Sequence, residues 1–381
     1  MRRITPLVFS LVSTFAVSNA TAQTDSQPPC SAGDSANCEI KYDSSDWSDL
    51  RTFWEVVQQK GSQTGNNEGE DYVDDGQTLK VEDGVLKFNL QKVAENQYHS
   101  GKIISHQSIT EYAPTHGYLE VEMTLPKIQK YDGRTDNLPK RVHGIWPAFW
   151  LLTTSKTWPT AGEIDLLETM QLAGQAEPDY QNADNFGFST LHFGVVENGK
   201  SKDAIYIDNN GGQKWGYKQC SQENCYGDAG NYPMKDQITQ TGFDTIGIEW
   251  QKVDDYWQVT QYVNGKVAWT RQFTRNNPEA KDINMFNFGR PSQNPSVDVT
   301  NRNFALGGLQ ASAFFENGAG DPVAIFNDSL NKVSDQGFRI IFNLAYGGTP
   351  FTQGGKFPLF DPKLDAAQMQ VHSVKLWNIK N

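Results

Sequence analysis

The sequence predicts an all-β protein built as an antiparallel β-sandwich, and three observations predict it. Short runs of alternating apolar and polar residues recur from Trp47 to the C-terminus. Turn residues separate them at short intervals, with Asp83-Gly84 and Asn264-Gly265 as hairpin dipeptides. No long segment carries the 3.6-residue period of an amphipathic helix. Many short strands joined by frequent turns fit a sandwich better than any helical or α/β layout.

The chain begins with Arg2 and Arg3, followed by an apolar stretch from Pro6 to Val17 and then Asn19-Ala20-Thr21-Ala22. This is the layout of a secretory signal peptide over residues 1–22, too short in its apolar part to span a membrane. The mature protein is therefore expected outside the cytoplasm, secreted or periplasmic, and not in a membrane. Residues 23–41 are polar and rich in Pro, Ser, Gly and Asp, as in a linker or lead-in. Residues 42–381 read as one β-sandwich domain, with no internal repeat.

Within that domain, Leu79–Val81 and Val85–Leu90 flank the Asp83-Gly84 turn, and Gly117–Leu125 alternates cleanly. Tyr256–Val263 alternates too and turns through Asn264-Gly265 into Lys266–Trp269. Further strands are predicted at 187–195, 244–251, 338–345 and 369–378. Three stretches, 127–143, 197–241 and 274–324, read as long loops, where a β scaffold commonly carries binding functions. Cys30, Cys38, Cys220 and Cys225 form two close pairs, read as two local disulfides in an oxidising compartment, Cys30–Cys38 and Cys220–Cys225. Their spacings do not suit a zinc site.

Charged residues make up 20% of the chain and the formal net charge is −12. With no basic block, nucleic acid and anionic lipid are poor partners, because nothing would neutralise their phosphates. A neutral ligand fits better. Aromatics make up 12%, with 10 Trp. Such rings either stack on sugar faces or fill a large core, and composition leaves both readings open.

One run carries chemistry: Gly162-Glu163-Ile164-Asp165-Leu166-Leu167-Glu168. Side chains of a strand alternate faces, so Glu163 and Asp165 point the same way and Glu168 the other. One extra residue, a β-bulge around Leu166-Leu167, would bring Glu168 round to join them. Three acids interleaved with Ile164, Leu166 and Leu167 are costly on a central strand unless they act together. Two carboxyl groups about 5–5.5 Å apart are what a retaining glycosidase needs, and Asp165 between them could share a proton with Glu163. No nucleophile elbow, phosphate loop or His-Glu-x-x-His zinc helix competes with this reading.

The stretch Gly144-Ile145-Trp146-Pro147-Ala148-Phe149-Trp150-Leu151-Leu152, then Trp158-Pro159, then the 162–168 run, resembles glycoside hydrolase family 16. It is most similar to the laminarinase-type endo-β-1,3-glucanases of the bulged E-x-D-x-x-E branch. Tyr98–Ile103, Thr190-Leu191-His192 and Phe342–Gly348 resemble flanking landmarks of the same family in the same order. The resemblance implies a β-jelly-roll sandwich with a concave substrate cleft and a neutral β-glucan substrate. It implies Glu163 as nucleophile, Glu168 as general acid/base and Asp165 as the assisting acid. It places His192 beside the acid/base, Trp150 and Trp158 against sugars near the cleavage point, and Ser100 and Asn343 at hydroxyl contacts. Trp146 is expected to pack behind them.

Two departures bear on this. Where the family carries Met-x-Val-Asp, this chain has Met369-Gln370-Val371-His372. Imidazole is a poor calcium ligand, so the expected cofactor list is empty and a structural calcium is doubtful. Where a Trp often follows the twin glycines, Phe351 is the candidate stacking ring. Other readings stay open: a hydrolase of red-algal galactans (agar, porphyran or carrageenan), a transglycosylase, and a non-catalytic carbohydrate-binding protein on the same scaffold. A monomer is expected.

Overall fold

The computed structural model describes residues 27–30, 37–44, 47–139, 142–154, 156, 158, 160–170, 188–192, 194–197, 200–203, 206–207, 213–214, 232–233, 242–273, 322–352, 355 and 357–380. Among these, two large sheets pack face to face as the alternation predicts. The front sheet has seven strands. Numbered in chain order, they are β1 (Trp54–Val56), β2 (Lys102–Ser108), β3 (Ile145–Leu152), β4 (Glu163–Glu168), β5 (Phe188–His192), β6 (Tyr232–Pro233) and β7 (Arg339–Tyr346). Across the sheet they run β6-β5-β4-β3-β7-β2-β1, all antiparallel.

The back sheet has twelve strands. At its centre His116–Met123 lies between Asp244–Val253 and Leu364–Ile379. Both dipeptide turns form the hairpins expected of them. Asp83 and Gly84 sit at φ 54° and 74°, and Asn264 and Gly265 at 49° and 76°, the left-handed pair that a tight two-residue connection requires.

Alternation fixes what faces inward. On β3 the odd residues Ile145, Phe149 and Leu151 are buried in the core. On β7 the even residues Ile340, Phe342, Leu344 and Tyr346 do the same. Phe149 stacks on Phe342 at 4.7 Å, and Phe88 of the back sheet meets Phe342 at 6.4 Å, so one ring links the two layers. Burial of this apolar surface is the main driving force for closing the sandwich.

Three expectations change. Residues 38–41, read as lead-in, belong to an edge strand, Cys38–Asp43, that pairs with Leu364–Ile379. The Cys30–Cys38 disulfide that tethers it is present, whereas Cys220 and Cys225 lie outside the described residues. The 127–143 segment, read as a loop, opens with a strand, Lys127–Tyr131, on the same back strand. A nine-residue helix, α1 (Pro322–Leu330), stands where no helix was expected. Its Pro322 occupies the first helical position, where the missing N–H costs nothing, and Ile325, Phe326 and Leu330 are buried. The rest of 274–324 and most of 197–241 lie outside the described residues. None of the described helices is long and apolar enough to cross a membrane.

The back sheet also reaches the strand that carries the acids. Gln261, fully buried, donates from Nε2 to the Leu166 carbonyl at 2.5 Å. Replacing Gln261 by Leu leaves that carbonyl unpaired in the core. We expect a loss of about 1–3 kcal/mol in unfolding free energy, read from chemical denaturation midpoints of the two proteins.

Candidate active site

The register of β4 against β3 shows where the extra residue sits. Leu152 pairs with Glu163, Leu151 with Ile164 and Trp150 with Asp165, but Phe149 then pairs with Leu167 and Ala148 with Glu168. Leu166 is therefore the bulged residue. The pairing of β4 with β5 is broken over the same span, between Asp165 and Glu168. Paired residues of an antiparallel ladder share a face, so Glu163, Asp165 and Glu168 all join the even side chains of β3. These acids, with Trp146, Ala148, Trp150 and Leu152, line one cleft of about 610 Å³.

A bulge strands backbone carbonyls that a regular ladder would satisfy. Here side chains take them. Besides the Gln261 bond to Leu166, the buried Ser189 hydroxyl donates to the Asp165 carbonyl at 2.7 Å. The start of the strand is also fixed. Gly162 sits at φ 79°, and a Cβ there would lie 2.9 Å from the Phe326 ring of α1. The Ser329 hydroxyl of the same helix donates to the Ala161 carbonyl at 2.6 Å.

The three acids differ in surroundings. Asp165 is 2% exposed and Glu168 8%, while Glu163 is half-buried. Trp146 donates its indole N–H to Glu168 Oε1 at 2.8 Å. This orients the carboxyl group and fills one of its lone pairs. His192 Nε2 lies 3.1 Å from Asp165 Oδ2 and 3.9 Å from Glu163 Oε1. The ligating atoms of these three side chains converge within 4.8 Å.

On the other side of β3 the floor of the cleft is a directed hydrogen-bond chain. The Trp150 indole N–H donates to Asn343 Oδ1 at 2.7 Å, and Asn343 Nδ2 donates to the Tyr72 hydroxyl at 3.2 Å. Tyr72 donates to Glu68 Oε2 at 2.8 Å. The Lys102 ammonium lies over the Tyr72 and Trp150 rings, 5.3 and 5.4 Å from their centroids, a cation–π arrangement. Burial pushes the Lys102 amine below its ordinary pKa, while the negative charges of Glu68, Glu70 and Glu163 push it back up.

The structure thus brings Glu163, Asp165, Glu168, Trp150, Trp158, His192 and Asn343 to the cleft. Trp158 is 40% exposed, a ring open for stacking beside His192, with centroids 5.7 Å apart. Four expectations are corrected. Ser100 is fully buried, and its hydroxyl donates to the Leu344 carbonyl at 2.5 Å, so it ties two strands together and does not meet a ligand. Phe351 is fully buried between His143 and Trp146; it supports the cleft wall from behind. His192 pairs in register with Glu163 and sits by Asp165, not by Glu168. Trp146, expected behind the site, lines it and touches Glu168. The even-residue parity shared by Trp146, Ala148 and Trp150 was the signal for that last point. Glu68 and Tyr72 were not singled out, and Lys102 was noted only within the Tyr98–Ile103 landmark. On the back sheet His372 Nδ1 lies 2.6 Å from Glu122 Oε2. That position holds an imidazole–carboxylate pair, which does not suit calcium.

Three carboxylic side chains lie on the cleft face of a β-sandwich with aromatic rings on either side, and paired carboxyl groups are what glycoside hydrolysis employs. Residues 135–232, the segment that carries the three acids, match a family model described as XgeA-like, catalytic GH16 domain. Two curated proteins of Rhizobium meliloti (strain 1021) are similar to it. Endo-1,3-1,4-β-glycanase EglC is 28% identical over 131 residues, 30% of this chain and 24% of that protein. Endo-1,3-1,4-β-glycanase ExsH is 26% identical over 131 residues, with the same shares. The chain spans about a quarter of the length of these relatives. The crystal structure of an endo-1,3-β-glucanase from Streptomyces sioyaensis superposes with a TM-score of 0.54 at 16% identity, covering 91% of this chain and 98% of that one. That likeness bears out the jelly-roll sandwich.

Proposed function

We propose that this chain is a retaining, endo-acting hydrolase of β-1,3-glucan that also accepts mixed β-1,3/1,4 chains. We propose further that residues 1–22 export it, so that it works outside the cytoplasm. The observation that carries the reading is the bulge at Leu166, which puts Glu163, Asp165 and Glu168 on the cleft face together. The names of the curated relatives favour glucan over other polysaccharides.

In this reading Glu163 attacks the anomeric carbon as the glycosidic C–O bond breaks, and Glu168 gives its proton to the departing oxygen. Water then attacks the glycosyl–Glu163 ester, Glu168 takes its proton, and the product keeps its anomeric configuration. Asp165, 3.1 Å from His192 Nε2, is the assisting acid beside Glu163. Product profiling on laminarin, lichenan, agarose and carrageenan tests the proposal. Oligosaccharides from laminarin and lichenan alone are expected; cleavage confined to agarose or carrageenan would overturn the substrate, and binding without cleavage would overturn the activity.

A further inference from the structure

The Trp146 indole meets Glu168 at one oxygen, and that sets where a proton on Glu168 sits. The contact follows from the parity of β3. Ala148 pairs with Glu168 across the ladder, and Trp146 is the next residue on the same face of β3. Trp146 and Glu168 are therefore diagonal neighbours, within reach of a large ring over a small side chain. The indole N–H donates to Glu168 Oε1 at 2.8 Å, and an indole N–H can only donate. In a carboxylic acid the carbonyl oxygen accepts such a bond well, and the oxygen that carries the proton accepts it poorly. With Oε1 held by the indole, the proton of the acid form belongs on Oε2.

The indole is itself held from behind. Phe351, fully buried, packs on Trp146 with ring centroids 5.8 Å apart and on His143 at 5.5 Å. His143 Nε2 donates to the Pro358 carbonyl at 2.8 Å. Gly347 N–H donates to the Gly144 carbonyl at 2.7 Å, and Asp361 N–H to the His143 carbonyl at 3.1 Å. Phe351 thus stands on a short turn, Thr349–Thr352, whose flanks are tied to the residues that lead into β3. It is not one of the cleft-lining side chains, so any effect it has on the reaction is indirect.

We infer that Trp146 is a positioning residue that assigns proton transfer to a single oxygen of Glu168, and that Phe351 keeps Trp146 in that pose. This inference rests on the reading of Glu168 as the acid/base. In the first step the glycosidic C–O bond breaks as Glu163 bonds the anomeric carbon, and the proton on Oε2 goes to the departing oxygen. In the second, a water oxygen bonds that carbon as the Glu163 ester opens, and the water proton returns to Oε2. Oε1 stays on the indole throughout, so the carboxyl group does not have to turn between the steps. Without the indole either oxygen can carry the proton, and the orientation that speeds the transfer is lost.

The test is Trp146→Phe, which keeps an aromatic wall and removes the N–H. A series of aryl β-laminaribiosides with progressively poorer leaving groups isolates proton donation, because every member fills the same sugar positions. Wild type and variant should differ little on the best leaving group. On the poorest, kcat/KM should fall about tenfold, the equivalent of about 1.4 kcal/mol, with the loss on kcat more than on KM. The basic limb of the variant's pH profile should lie at higher pH, because a donor to a carboxylate favours its charged form. Glu163 and Asp165 on β4 and His192 on β5 are the same in both proteins, so they do not account for a difference between them. Phe351→Leu should show the same dependence on leaving group to a smaller degree. Circular dichroism and melting show whether each variant is folded; if Trp146→Phe is not, the Phe351→Leu series is read in its place. A uniform fall across the series, or none, in folded Trp146→Phe overturns this inference alone when Glu168→Ala still discriminates among leaving groups. A flat Phe351→Leu series beside a graded Trp146→Phe series removes Phe351 from the role. If Glu168→Ala loses equally on every leaving group, the acid/base reading falls and this inference with it.

Discussion

Glu163→Ala is expected to abolish cleavage of β-glucan, and azide is expected to restore turnover with a glycosyl azide of inverted configuration. The loss follows from the covalent step. Without a carboxylate at 163 no glycosyl ester can form, and removing a nucleophile of this kind costs on the order of 10⁴-fold or more. The rescue follows from the geometry. Glu163 is the most accessible of the three acids, at the mouth of the run, so truncation opens a space at the face from which it would attack. Azide is small, needs no deprotonation and can displace the activated leaving group in one step, which inverts the anomeric centre. Glu168 and its Trp146 contact are untouched by the change, so the leaving group is still protonated. Mass spectrometry and NMR of the product decide the outcome. A folded Glu163→Ala protein that azide cannot rescue would remove Glu163 from the nucleophile role.

Glu168→Ala is expected to spare activated aryl glycosides and to cripple the natural polymer. A phenol with electron-withdrawing groups leaves without help, whereas a sugar hydroxyl needs the proton, and general acid assistance is worth about 10²–10⁴-fold. The ratio of kcat/KM for an activated aryl β-glucoside oligomer to that for laminarin should therefore rise by two to four orders of magnitude. Equal losses on both substrates would take Glu168 out of the acid/base role. The Trp146 indole N–H that now serves Glu168 Oε1 would then face the empty space, so the variant also reports how much of the pocket that ring holds up by itself.

The legible part of this site is the part governed by parity. Alternation placed Glu163 and Asp165 together, and the offset of Glu168 required one extra residue near 166–167; the ladder puts it at Leu166. The same rule applied to β3 would have brought Trp146 into the cleft. Ser100 and Phe351 misled for a different reason. A resemblance carries a position along the chain, but whether a side chain turns to the cleft or the core is set by packing. The Leu344 carbonyl draws Ser100 inward, and the gap between His143 and Trp146 encloses Phe351. Glu68 and Tyr72 were illegible because the chain reaches Asn343 some 270 residues later, a separation of 271 positions between Tyr72 and its partner. The helix Pro322–Leu330 was missed because nine residues span too few turns for the period to stand out.

The Gln261 bond to Leu166 has a consequence for how this strand is inherited. An extra residue in a strand can in principle migrate, since each shift only exchanges one set of ladder bonds for another. A buried amide that meets one particular carbonyl removes that freedom and pins the irregularity to a single address. The instruction that keeps the three acids in phase is thus written 95 positions downstream of the bulge, in the opposite layer of the sandwich. Grafting the 162–168 run onto another scaffold would carry over the acids and leave their timing behind, unless the graft included that glutamine.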